Sequence, residues 1–268
     1  MNMKPTTAKP TAVASDTPRH EYTAFEVMRM LVVTLSLALA VSAVEASTAT
    51  TADWRFEVFL NNKPIGFHDF RVTSEDGEQR IEIDADFAVK VLFVTAYRYE
   101  HQNTERWEGN CLTGIEADTN ANGKSFQVRG ERSDDGFSLT TGPTPEALPG
   151  CVQTFAYWNK SILSAKRLLN SQTGTYEPVS VTALGVEEID VNGTPVRSNR
   201  YELMVGDNPI SLWYDASDNR WLALETAAAG GRTLRYVPRE VPPPALPAMA
   251  GLADVAERQD SSDAMRSL

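Results

Sequence analysis

Apolar and polar residues alternate along most of the chain between Trp54 and Val237. The clearest run covers residues 80–91, where Arg, Glu, Asp and Lys side chains alternate with Ile, Ala, Phe and Val. A period of two is typical of a strand with one buried face. Turn sequences such as Asn61-Asn62-Lys63-Pro64 and Asn192-Gly193 separate these runs. Because helical patterns do not alternate with the strands, the chain is predicted to form about 10 to 11 antiparallel strands.

One stretch departs from this period and predicts a single amphipathic α-helix over residues 154–169. Thr154 is suited to cap its start, and residues 170–174 (Asn-Ser-Gln-Thr-Gly) are suited to end it. The apolar positions that recur at steps of three and four are Phe155, Trp158, Ile162, Ala165 and Leu169. The sequence therefore predicts a mainly β fold, in which a curved antiparallel sheet or open half-barrel of about 10 to 11 strands packs around this one helix.

The composition of the two ends predicts how the chain is divided. Residues 31–44 form an uncharged, mostly apolar run after Arg29, followed by Val44-Glu45-Ala46, which is typical of a secretory signal peptide cut near Ala46. A membrane anchor is the alternative, but this run would span about 21 Å of a hydrocarbon core about 30 Å thick. We expect residues 1–46 to be an N-terminal extension and signal peptide, residues 47–237 one β-rich domain, and residues 238–268 a flexible Pro/Ala-rich tail.

The net charge and the cysteine content indicate in which compartment the protein functions and which partners it excludes. The net charge is −11, and residues 1–46 carry equal numbers of acidic and basic side chains, so the exported part keeps all of it. Such a surface repels nucleic acid and anionic lipid. The only cysteines, Cys111 and Cys151, fall in the exported part and predict a disulfide. We therefore expect a periplasmic or secreted monomer that has no membrane span after signal cleavage.

Residues 93–107 form the most unusual predicted strand, because one of its faces is aromatic and the other is wholly polar. The aromatic face is expected to point inward and to form one wall of a cavity. Its predicted ligand-binding residues are Tyr97, Tyr99, His101, Glu105 and Trp107. A β-bulge between Ala96 and Asn103 would reverse the faces beyond it. His68 is expected on the same inner side, and either histidine can instead be a hydrogen-bonded core residue.

The sequence gives little support for a metal site, a nucleophile motif or a phosphate-binding loop. The exported part holds two histidines without a His-x-His or Cys-x-x-Cys spacing, so no metal site is predicted. No Gly-x-Ser-x-Gly elbow and no phosphate-binding loop are present. No cofactor is expected, and no catalytic residue is assigned.

Five runs of sequence together resemble one bacterial family of exported proteins. They are residues 96–107, 155–159, 168–174, 212–215 and 230–236. The family is domain of unknown function 6134, and the likeness covers Trp54 to about Val237. The resemblance implies no activity, because the family has no assigned catalytic or binding residues. More distantly, the hairpin at residues 212–215 followed by residues 221–225 resembles a related set of exported sheet proteins, also of unknown function. The predicted number of strands around one helix is similar to the open half-barrels of periplasmic lipoprotein carriers, an analogy of architecture that implies no function.

Three hypotheses for function remain open from the sequence. In the first, the concave face of the sheet binds an apolar or amphipathic small molecule, such as a lipid. In the second, His101, Glu105 and the tyrosines perform acid–base catalysis on a neutral substrate. In the third, the protein is an envelope-assembly partner without a cavity. A cavity lined by His101 and Glu105, a dry aromatic cavity or a packed core would favour the enzyme, the carrier or the partner, respectively.

Overall fold

The structure is a computed structural model that describes residues 49–91 and 94–244. The predicted signal peptide and residues 245–268 of the predicted tail lie outside this part. Within it, 14 strands form one antiparallel sheet that curves without closing, which confirms the predicted mainly β fold. The strands are β1 (Thr50–Leu60), β2 (Lys63–Glu75), β3 (Glu78–Val91), β4 (Val94–Glu108), β5 (Cys111–Ala121), β6 (Lys124–Ser133), β7 (Gly136–Thr140), β8 (Glu146–Leu148), β9 (Arg167–Leu169), β10 (Tyr176–Val191), β11 (Thr194–Val205), β12 (Asn208–Asp215), β13 (Trp221–Ala228) and β14 (Arg232–Glu240).

Two meanders build the sheet. Strands β1 to β8 pair in sequence order, and so do β9 to β14. The antiparallel pairing of β1 with β14 joins the two meanders, so the first and last strands lie at the centre of the sheet. The structure has more strands than the 10 to 11 predicted, partly because β8 and β9 have only three residues each and β9 lies in the segment predicted as helix.

The predicted α-helix over residues 154–169 is wrong. The structure has an extended segment there, followed by a 3₁₀ turn at Lys160–Ser164 and strand β9. We call residues 151–169 the inner segment, because their apolar side chains join the same core cluster as the two halves of the sheet. Its 3₁₀ turn is capped by the side chain of Asn159, which accepts a hydrogen bond from the Ser161 backbone N–H.

Hydrogen bonding to the rest of the fold explains why this segment is not helical. The Leu169 backbone N–H donates to the Gln153 carbonyl at 2.8 Å, and the Lys166 carbonyl accepts a hydrogen bond from the Val179 backbone N–H at 2.9 Å. In the predicted helix, Leu169 would donate to Ala165 and Lys166 would accept from Asn170. Asn, Ser and Thr residues in the segment also have low helix propensity. Tertiary contacts therefore decide its conformation, although its apolar residues have helical spacing.

The inner segment is attached at one of the two ends of the sheet. We call the end with the turns at 61–62, 122–123 and 206–207 the mouth, and the opposite end, with the turns at 109–110 and 192–193, the base. The inner segment is attached at the base, where the disulfide between Cys111 and Cys151 predicted from the cysteine count is present. It packs between β4 and β12, since Trp158 contacts Trp107 and the Tyr157 carbonyl accepts a hydrogen bond from the Tyr214 hydroxyl.

Candidate functional site

Cross-strand register arranges the inner face of β2 to β5 into rows that run across the strands. The row nearest the mouth, here called the rim row, contains Gly66, Phe87, Tyr99 and Ala121. The next row, here called the polar row, contains His68, Ala85, His101 and Thr119. Deeper rows contain Asn103 and Glu105, each flanked by apolar residues of the neighbouring strands. The inner face therefore changes from aromatic to polar to mostly apolar, from the mouth to the base.

Tyr99 forms the aromatic part of the rim row. Its ring stacks on Phe87 with the centroids 5.2 Å apart, and it lies 6.1 Å from the ring of His101. Tyr99 is partly exposed, and Tyr97, one step nearer the mouth, is 40% exposed. Burial raises the pKa of Tyr99, with a smaller contribution from Tyr97, so its phenol is neutral at physiological pH.

The polar row places two histidines on either side of Ala85. His101 is 4% exposed, and its Nδ1 lies 2.7 Å from the Thr119 hydroxyl. His68 Nδ1 lies 3.0 Å from the Tyr236 hydroxyl. Burial lowers the pKa of His101 to about 4, against a smaller opposing effect of Asp118. Burial and the neighbouring His101 lower the pKa of His68 well below its usual value, so both rings are neutral at pH 7.

Glu105 is a structural anchor in the base half of the sheet. Its side chain is 1% exposed and accepts three hydrogen bonds, from Asn103 at 2.8 Å, from the Trp107 indole at 2.9 Å and from the Thr154 hydroxyl at 3.1 Å. Burial raises the pKa of the carboxyl group, and these donors oppose the rise. Trp107 is itself fully buried, in an edge-to-face contact with Trp158. The carboxyl group thereby fixes the inner segment to β4.

The five residues predicted as one wall are thus divided among three environments. Side chains at Tyr99, His101, Glu105 and Trp107 share the inner face, but only the first two lie near the mouth. The backbone positions of His101 and Glu105 are about 13 Å apart along the strand, and each side chain has its own hydrogen-bond partners. The structure therefore does not bring the hypothesised acid–base pair together.

Two residues close to the polar row and the rim row were not predicted from the sequence. Tyr236 lies on β14 and reaches His68 because β14 pairs with β1, a contact between residues 168 positions apart. Tyr157 belongs to the inner segment, and burial followed by the nearby Tyr99 raises its pKa. Tyr157 lies off the apolar stripe of the predicted helix, so the helical wheel gave no reason to place it here.

The outer face of the sheet carries the more open concavities. One of about 550 Å³ lies beside Asp84, Asp86, Glu100 and Asp118, and one of about 410 Å³ adjoins it and shares Asp84 and Gln102. Ion pairs satisfy several of these carboxylates, for example Arg98 with Asp86 at 3.1 Å and Arg129 with Asp118 at 2.7 Å. This surface is mainly a solvated face with paired charges, although Phe67 and the polar-row residues His101 and Thr119 also line the larger concavity.

Two kinds of feature are absent from residues 49–91 and 94–244. Within them, no group of three or more His, Cys, Asp or Glu residues has the arrangement needed to hold a metal ion. No helix in the same ranges has the length and apolar character needed to cross a membrane.

Comparison with known families identifies the chain. The model of the family described as domain of unknown function DUF6134 matches residues 56–239. This range covers the sheet from β1 to β14, including the rim row, the polar row and the inner segment. The chain belongs to the DUF6134 family. No curated protein matches the sequence of this DUF6134 member.

The fold of this DUF6134 protein also occurs in a solved structure. A crystal structure described as a beta-barrel-like protein of domain of unknown function DUF1849 from Brucella abortus is similar with a TM-score of 0.51. The match covers 72% of this chain and 97% of that chain, with 9% sequence identity. At this identity the likeness concerns the fold alone, and it agrees with the distant resemblance to half-barrel proteins.

Proposed function

We propose that this DUF6134 protein is exported and binds an apolar or amphipathic small molecule at the mouth of its curved sheet. The observation that carries the proposal is the incomplete burial of Tyr99, Phe155 and Tyr157, which all pack against the main core and yet remain partly exposed. Apolar ligand sites are typically lined by aromatic side chains with a few well-placed polar groups. The rim row and the polar row have this composition.

The division between the mouth and the base supports this location. At the base, Trp107, Trp158 and Ile162 are buried, which leaves no space beside Glu105 for a ligand. The inner segment contributes the partly exposed Tyr157, whose pKa the nearby Tyr99 of the rim row raises, and Phe155, whose ring lies 6.3 Å from that of Tyr157. The site therefore lies between the rim row and the first residues of the inner segment.

Two features support export. The signal-like sequence before Ser47 is typical of secreted proteins. The disulfide between Cys111 and Cys151 is of a kind that persists in oxidising compartments.

A second candidate function is that of an envelope-assembly partner that binds no small molecule. The observation in its favour is the dense packing at the base, including the edge-to-face contact of Trp107 and Trp158. The catalytic hypothesis receives no similar support, because Glu105 already accepts three hydrogen bonds and His101 is bound to Thr119.

A binding titration distinguishes the two candidates. We expect the neutral fluorescent probe N-phenyl-1-naphthylamine to bind the wild-type protein, and Tyr99→Ala to weaken that binding about 10-fold through the loss of an aromatic wall. The matched control is Phe67→Ala, which removes an aromatic ring from the outer side of β2, two strands away and next to Asp86. The control is expected to stay within about twofold of wild type. Failure of the wild-type protein to bind the probe, or equal binding by all three proteins, would favour the assembly partner.

A further inference from the structure

His68 has a buried nitrogen without a hydrogen-bond partner. The ring as a whole is partly exposed, but its Nε2 is shielded from solvent and bonds to no other described residue. Its Nδ1 is already engaged with the Tyr236 hydroxyl, and its ring stacks on Phe70 with the centroids 4.3 Å apart. Buried polar atoms in proteins nearly always have a partner, so an atom of this kind calls for one that the chain itself does not supply.

The residue next to His68 in the polar row is small. Ala85 separates His68 from His101 in the polar row, and with about 4.8 Å between adjacent strands the two histidine backbones are about 10 Å apart. The side chain between them is a single methyl group. One row deeper, Asn103 Oδ1 is also buried without a partner in the described part of the chain. The polar row and the row below it therefore each contain one buried polar atom without a partner in the described residues.

The polar row offers no charge to balance an ion. In it, His68 and His101 are neutral at pH 7, and Ala85 and Thr119 carry no charge. The groups that face it from the inner segment, β12 and β14 are the neutral phenols of Tyr157, Tyr214 and Tyr236.

Two charged side chains that interact with residues of this region are engaged elsewhere. Lys160 lies over the rings of Tyr201 and Tyr214 and donates to Asn219. Asp118 lies on the outer face and pairs with Arg129. An ionised group would therefore lose its hydration in the polar row without gaining a counter-ion.

We infer that the ligand of the mouth carries an uncharged hydrogen-bonding group, such as a hydroxyl, ester or amide, and that this group binds His68 Nε2 while the apolar part contacts the rim row. This inference rests on the proposed function, and it names the class of ligand. It separates neutral amphipathic molecules from fatty acids and alkyl amines of the same chain length.

The test is competition against N-phenyl-1-naphthylamine at pH 7 by octanol, octanoate and octylamine, which share a chain length and differ in charge. Octanol is expected to compete at a concentration at least about 30-fold lower than either ion, because only the ions would lose hydration that no counter-ion in the site replaces. His68→Phe keeps an aromatic ring stacked on Phe70 and is expected to weaken octanol about 10-fold. Tyr236→Phe is the matched control, since it removes the partner of Nδ1 and leaves Nε2 in place, and it is expected to bind octanol within about threefold of wild type.

Each outcome decides between the inference and the function on which it rests. Octanoate or octylamine competing as well as octanol overturns the inference, while displacement of the probe still supports a ligand site at the mouth. Unchanged octanol binding by His68→Phe, with thermal unfolding that shows the variant to be folded, likewise overturns the role of Nε2. If the wild-type protein binds neither the probe nor any of the three competitors, the inference and the proposed function both fail. The comparison of octanol with the two ions uses wild-type protein alone, so it decides the charge preference even if His68→Phe does not fold.

Discussion

Replacing Glu105 by alanine is expected to lower the free energy of unfolding by about 3 to 5 kcal/mol, the largest effect of any single substitution proposed for this protein. The change leaves the amide of Asn103, the indole of Trp107 and the hydroxyl of Thr154 without their acceptor in a site that is 1% exposed. It also leaves a cavity beneath the inner segment. Each buried donor without a partner costs about 1 to 3 kcal/mol, and part of this cost is relieved by relaxation.

Urea unfolding under non-reducing conditions measures this effect with the disulfide intact. Glu105→Gln keeps the volume and one acceptor oxygen, and we expect it to lose less stability than Glu105→Ala. Glu82→Ala is the surface control, because Glu82 pairs with Arg80 at 3.3 Å where both side chains are about half exposed, and it is expected to change stability by less than about 1 kcal/mol. A loss below about 1 kcal/mol for Glu105→Ala would mean that the carboxyl group does not hold the inner segment.

Stability is expected to fall as the pH drops from about 6.5 towards 4, because the histidines of the polar row are harder to protonate in the folded protein than in the unfolded chain. The pKa of His101 is lowered to about 4 in the folded protein, and that of His68 is lowered as well. Below pH 6.5 the unfolded chain binds protons that the folded chain does not bind, so acid favours unfolding. For His101 alone the loss approaches about 3 kcal/mol at pH 4, from about 1.4 kcal/mol for each unit of pKa difference. Glu105, with its raised pKa, acts in the opposite direction.

Comparison of wild type with His101→Asn isolates the histidine from this opposing effect. Asparagine has a polar atom near the position of Nδ1 and retains a contact with Thr119, and it does not titrate. We expect the decrease in unfolding free energy between pH 7 and pH 4.5 to be about 2 kcal/mol smaller in His101→Asn than in wild type. Equal decreases in the two proteins would show that His101 protonates as readily in the folded state as in the unfolded one.

The sequence predicted the wall more accurately than the segment that it faces. Alternation along β4 depends on local geometry, and burial follows it from Tyr99 to Trp107, with His101, Asn103 and Glu105 inside and Gln102 outside. In the pairing of β4 with β3 the register shifts once, at Ala96, and from Tyr97 to Asn103 it is continuous, so the faces are not reversed over this part of the strand. Period two is reliable here because one face of the strand is charged and the other is aromatic.

The inner segment could not be predicted in the same way. Its apolar residues recur at helical spacing, but the Leu169 N–H bonds to Gln153 and the Lys166 carbonyl bonds to Val179, contacts distant in sequence that no local pattern reveals. The contact of His68 with Tyr236 depends on the pairing of β1 with β14, and turn sequences do not specify this pairing. The polar row therefore emerges only once the register of the whole sheet is known.

Native mass spectrometry of the protein, purified without detergent from the bacterium that produces it, tests most directly whether the mouth binds a small molecule. We expect wild type to carry an additional small-molecule mass that collisional activation releases, and Tyr99→Ala to lose most of it. The Phe67→Ala control should retain the ligand, since Phe67 lies on the outer face. A wild-type spectrum with only the mass of the polypeptide, or an additional mass retained equally by Tyr99→Ala, would contradict ligand binding at the mouth.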